Sequence, residues 1–218
     1  GLYANYRLLE PNAAGGVDTV AYRGTPRLPN FDWVVSVGTP EFRRFSLSSM
    51  AVWGQDENFQ EWSSADILIL NQTLALRPTE QLRISGTWAY ERFNRKDGST
   101  VLLRNTPRVR AEYQLTRQIF VRVIGEHSRV TQDSLRDDSR TERPIYLEQA
   151  DGSLVRAAAF ERTRARLDVL FSYLPTPGTV VYLGYGDALR ADTPGGSRGL
   201  RRSSDVFFAK LSYLFRLQ

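Results

Sequence analysis

Arginines set two residues apart on extended segments carry the clearest chemical potential in this sequence: Arg108 and Arg110, then Arg122, then Arg162, Arg164 and Arg166, with Glu112, Glu126 and Asp168 interleaved. Side chains in a strand alternate between faces with period two, so each such set lines one side of a sheet. On a water-filled side, that set makes a positive stripe that selects anions or binds acidic glycans. The alternative is a cross-strand network, in which the carboxylates pair with the guanidiniums and stiffen or plug the interior.

Other constellations carry less. Glu126, His127 and Ser128 bring together the parts of a hydrolytic triad, but adjacent strand residues point to opposite faces, so His127 is separated from the other two and reads as a rim histidine. Asp133, Asp137, Asp138, Glu142 and Glu148 could offer oxygen ligands to calcium. Their spacing does not follow the alternating calcium-loop pattern, and Arg136, Arg140 and Arg143 interrupt it, which reads as a solvated loop. Gly184-Tyr185-Gly186 lacks the third glycine and the following helix of a nucleotide fingerprint; glycine there relieves crowding on a curved wall.

Composition closes further routes. The 218 residues include no cysteine and one histidine, which excludes a disulfide scaffold, thiolate chemistry and any multi-histidine zinc site. No catalytic, cofactor-binding or metal-binding residue is assigned. All basic residues but Lys96 and Lys210 are arginine, and the net charge is +5. This skew reflects coding bias as readily as function, and no nucleic-acid partner is expected.

The elements that must position these groups are strands. No apolar run approaches the roughly 20 residues of a spanning helix, and no window shows a capped helical stripe. Alternation recurs instead. Phe207, Ala209, Leu211, Tyr213, Phe215 and Leu217 oppose a more polar set, as Thr163, Ala165, Leu167, Val169, Phe171 and Tyr173 oppose Arg162, Arg164, Arg166 and Asp168. About ten strands are expected, at 2–9, 30–38, 42–54, 63–76, 81–94, 107–116, 118–130, 157–173, 179–189 and 204–217. Tight turns at 38–41, 77–80, 116–118 and 175–178 alternate with long polar connections at 10–29, 55–62, 95–106, 130–156 and 190–203. Such a meander has two inequivalent ends.

Alternation alone suits either a soluble, ligand-binding barrel with its apolar faces inward or a membrane barrel with them outward. Strand length, the turn and loop asymmetry, and aromatics near strand ends favour lipid. Those aromatics, Trp33, Trp53, Trp88, Tyr90, Phe171, Tyr173, Tyr213 and Phe215, are the expected interfacial girdle.

Leu174-Pro175-Thr176-Pro177-Gly178-Thr179-Val180-Val181-Tyr182-Leu183-Gly184-Tyr185-Gly186, followed by the closing strand Asp205 to Arg216, resembles the end of a family of large bacterial proteins. These are the family 9 carbohydrate-binding-module-type proteins, whose C-terminal region is a domain of unknown function read as an outer-membrane barrel. The closing strand is also similar to the C-terminal signal read by the barrel-assembly machinery, although it ends in Gln218 rather than an aromatic residue. The resemblance implies that residues 1–218 are the C-terminal fragment of a longer protein, with a carbohydrate-binding portion before Gly1. It supplies no catalytic residues.

The expectation is therefore an all-β, antiparallel, up-and-down transmembrane barrel, one domain over 1–218 and part of a larger barrel, in the bacterial outer membrane. It is a non-enzymatic anchor or conduit whose partners are outer-membrane lipid, the assembly machinery and an anionic or carbohydrate solute. The rival readings are the soluble barrel and a membrane-embedded hydrolase built on His127.

Overall fold

The computed structural model describes residues 3–25, 27–28, 30–192 and 199–214. Within them the chain is all-β and antiparallel, without an α-helix. The strands are β1 (Tyr6–Pro11), β2 (Val17–Ala21), β3 (Phe31–Gly38), β4 (Phe45–Asn58), β5 (Ser63–Leu76), β6 (Leu82–Asn94) and β7 (Thr100–Gln114). They continue with β8 (Ile119–Gln132), β9 (Tyr146–Glu148), β10 (Leu154–Arg156), β11 (Phe160–Thr176), β12 (Thr179–Ala191) and β13 (Arg201–Tyr213).

Nine of these form one meander in the order β13-β12-β11-β8-β7-β6-β5-β4-β3. Short turns gather at one end. The tightest joins β11 to β12 through Pro177 and Gly178, the latter at φ 93°, where a proline-glycine pair suits the turn and a side chain would be strained. The sheet is open among the described residues: β3 and β13 are its edges and no ladder joins them, so closure of the expected barrel is not seen.

Two expected loops are shorter than the sequence suggests. The connection expected at 55–62 shrinks to four residues because β4 runs on to Asn58 and β5 starts at Ser63, and the one expected at 95–106 shrinks because β7 begins at Thr100. Pro107, expected as the first residue of its strand, lies well inside it, although proline cannot donate to a ladder. It pairs with Trp88 of β6, while the β7–β8 register skips from Asn105 to Arg108. The hydroxyls of Thr106 and Ser128, 3.1 Å apart, bridge the interruption.

Residues directly opposite in an antiparallel ladder share a face. One row of partners, Phe45, Leu76, Ile84, Ala111, Val123, Val169, Tyr185 and Phe207, crosses from β4 to β13 without a charged side chain. The adjacent rows on the other face read Thr87, Arg108, Glu126, Arg166, Ala188 and Ser204, and Arg83, Glu112, Arg122, Leu170, Gly184 and Phe208. The ambiguous run Ile67-Leu68-Ile69-Leu70 splits the same way, with Leu68 and Leu70 beside Trp53 and Ala51 on the apolar side.

Nothing covers that apolar side among the described residues. Trp33 is 57% exposed, Val109 54% and Leu167 44%, away from any buried core. Its charged residues are also confined in height. Starting from the turn end, the first encountered are Glu57, Asp66, Arg92, Arg129, Glu161, Asp187 and Asp205, all toward the loop end of their strands.

The buried core lies instead at the loop end. Strand β1 does not join the meander as the expected strand 2–9 would; it pairs with β2 and β9, giving a second sheet in the order β10-β9-β1-β2. The reason is local: the turn at Asn12–Gly16, where Asn12 Oδ1 accepts from Ala14 and Gly16, folds residues 6–21 into a hairpin. Leu8, Tyr22, Val101, Leu135, Ile145 and Ala157 pack beneath it, with Trp62 and Leu147 against them.

Candidate functional site

The alternate-residue arginines do gather on one face, as the period of two requires. Arg108, Arg122, Ile124, Glu126, Arg166, Asp168 and Phe208 line a cavity of about 640 Å³ on the polar side of β7, β8 and β11 to β13. Two ion pairs lie within it: Arg108 is 3.7 Å from Glu126 and Arg166 is 2.9 Å from Asp168. Nearer the turn end of the same face, Arg110 binds Glu112. Arg162 reaches Asp192 at 3.3 Å. Arg122 and Arg164 have no carboxylate within 4 Å among the described residues. Glu112, directly opposite Arg122, is engaged by Arg110, so the face is part network and part uncompensated charge.

Gly184 has a steric reason on this wall. A Cβ there would fall 2.0 Å from the Phe208 ring, so the missing side chain is what lets the ring lie against β12. Phe208 lines the cavity and was not legible as such, because Phe207 beside it carries the apolar alternation.

The aromatics sit on the apolar face. Trp33 faces Trp53 across β3 and β4, Trp88 and Tyr90 lie 5.9 Å apart on β6, and Phe171, Tyr173 and Tyr213 lie toward the turn end. Trp88 departs from the expected strand-end position: it lies midway along β6, and its indole donates to Asn105 at 2.7 Å. Phe215 lies outside the described residues.

Glu126 and Ser128 share the polar face and His127 takes the other, opposite Ala165. The separation argued from strand geometry therefore holds, and no base-to-nucleophile contact joins the three.

A second concentration of chemistry is the ion cluster at the loop end, whose centre, Arg95 with Glu61, was not singled out from the sequence. Arg95 is 1% exposed and Glu61 is fully buried. Arg95 donates to Glu61 through Nε at 3.0 Å and Nη2 at 2.6 Å, and through Nη1 to Asp133 at 2.7 Å. Glu61 also accepts from Asn58 Nδ2 and from the Arg136 backbone, both at 2.9 Å. Arg136 reaches Asp97 at 2.6 Å, Asp138 at 2.9 Å and Glu142 at 3.0 Å. The loop acids once weighed as calcium ligands are thus each beside an arginine, Asp137 beside Arg140 and Glu148 bound by Arg7. Of the arginines that interrupt the spacing, Arg136 takes Asp138 and Glu142 and Arg140 takes Asp137, while Arg143 turns to Glu10. Glu61 and Arg95 gave no signal because an isolated charge in a short turn looks like any solvated one.

Electrostatics in the cluster follow from this packing. Burial works against the Arg95 charge, but the hydrogen bonds it donates to Glu61 and Asp133, with the charges of both carboxylates, outweigh it and raise its pKa. Burial raises the Asp133 carboxyl, and the hydrogen bonds from Arg95 and the Ser134 backbone, together with the Arg95 charge, more than reverse this. Hydrogen bonds from Ser99 and then Arg136 hold Asp97 well below the carboxylate range. Burial, then the nearby Glu57, pushes the Tyr3 phenol up to about 12. Depressed carboxylate values stabilise the fold above the unfolded pKa, about 4, and that contribution is lost as pH falls through the folded values. The loop 133–159 is therefore expected to resist an acid-active protease at pH 5 and to be cut progressively faster toward pH 2. Equal cutting rates across that range would remove the carboxylates from the account.

Comparison with protein-family models, curated proteins and solved structures finds no match.

Proposed function

We propose that this chain is wall and loop cap of a bacterial outer-membrane β-barrel, serving without catalysis as an anchor or conduit for an anionic or carbohydrate solute. The uncovered apolar face carries this reading. From Leu82 to Tyr90 on β6, or Ile119 to His127 on β8, the outward side chains are uncharged. That stretch spans about 27 Å at ~3.4 Å per residue, close to the apolar band of a tilted barrel strand. Charged side chains begin just beyond it, where the loop-end core and ion cluster also lie.

The soluble-barrel alternative fits less well, because it needs the apolar side chains around the enclosed space, whereas the cavity is lined by Arg108, Arg122, Glu126, Arg166 and Asp168 of the opposite face. In hydrocarbon, the free edges of β3 and β13 must be paired, since unsatisfied backbone groups cost several kcal/mol each.

Tryptophan quenching tests the reading. Trp33, Trp53 and Trp88 lie on the apolar face, whereas Trp62 stacks on Tyr3 at 5.1 Å in the loop-end core. With the chain refolded into vesicles of acyl-brominated lipid, variants retaining only one of the first three are expected to lose most of their emission, and the variant retaining only Trp62 to keep it. A chain that stays monomeric in plain buffer and is not quenched would end the membrane reading.

A further inference from the structure

Near the loop end of the polar face, Arg164, Arg190 and Arg201 are directly opposite one another on β11, β12 and β13. Like charges directly opposite in a ladder are destabilising, and a fourth, Arg162, lies two residues along β11. Among the described residues, the nearby carboxylate is Asp192, shared by Arg190 at 2.6 Å and Arg162 at 3.3 Å. Arg164 and Arg201 have no carboxylate within 4 Å among the described residues. All three arginines of the row are exposed.

We propose that Arg164, Arg190 and Arg201 form a binding site for a linear polycarboxylate whose acid groups recur at about the spacing of neighbouring strands. The row spans two inter-strand steps, about 10 Å, with one guanidinium per strand. A single small anion reaches at most two of them, whereas a chain of spaced carboxylates engages all three, each through the paired N–H fork that suits a carboxylate. The row lies on the side opposite the apolar face, so lipid headgroups cannot be its ligands and a solute must arrive from the loop end. This inference deepens the conduit reading and rests on it, because the polar face must be open to water.

The test uses the full chain refolded in detergent micelles, with calorimetric titration of oligogalacturonate at fixed ionic strength. Saturable binding is expected, weakened about tenfold by Arg164→Gln or Arg201→Gln and left unchanged by Arg83→Gln, which removes the same charge from the turn end of the same face. In the absence of ligand, Arg164→Gln should raise the unfolding temperature, because repulsion is relieved; a merely structural arginine would lower it. Equal losses from Arg83→Gln and Arg164→Gln, equal affinity for tripolyphosphate, or no saturable binding would each overturn the site. Brominated-lipid quenching is read on the same protein refolded in parallel into acyl-brominated vesicles: quenching without binding rejects the site alone, and absent quenching rejects the barrel.

Discussion

Arg95→Met is expected to destabilise the loop end by about 3–5 kcal/mol, because it leaves the fully buried Glu61 carboxylate without its guanidinium partner. Glu61→Gln should cost less, since the amide oxygen still accepts from either the Arg136 backbone or Asn58 and Arg95 keeps its bond to Asp133. Replacing both, as Arg95→Met with Glu61→Leu, should restore much of the loss, because an apolar pair in the same space pays no desolvation. The measurement is hydrogen exchange at the amides of Val101, Leu135 and Ile145, which belong to the adjoining core. Protection unchanged in Arg95→Met would mean that the cluster does not hold the cap. The apolar wall should be unaffected in all three variants, since the cluster lies beyond its charge-free band.

Val109→Arg is the second large effect. Val109 sits in the middle of that band and is 54% exposed. If the surface meets lipid, an arginine there costs about 2–4 kcal/mol in the unfolding free energy of the vesicle-refolded chain. In water the same exposed substitution stays within about 0.5 kcal/mol. Ser48→Arg, on the polar face opposite Thr73, is the control and should be near neutral in either setting. Equal small effects at both positions would mean that the outer face is wet, and the membrane reading would fall with it.

Strand parity was largely legible. The alternation of Thr163 to Tyr173 against Arg162 to Asp168, and of Val109 to Tyr113 against Arg108 to Glu112, places these residues on the faces they occupy. Tight turns at Pro177-Gly178 were equally plain, because few residues tolerate a φ of 93°. The ends of β4 and β7 were less so: Gly54 and Pro107 look like breakers, and only the neighbouring strands show where the ladder continues past them. Strand β1 lies in the second sheet and not in the meander, because the stretch 10–29, read as one polar connection, contains the Asn12–Gly16 turn and β2, which fold it into a hairpin.

What the sequence determined by itself is periodicity: which residues are extended, which side chains share a face, and where the chain reverses. These depend on contacts between near neighbours and on backbone preferences. The tertiary structure alone decided that the loop-end core sits apart from the meander, that Arg95 and Glu61 meet in a dry pocket, and that Arg164, Arg190 and Arg201 stand in one row. Each of these depends on register between strands far apart in the chain, and register is set by the whole sheet at once.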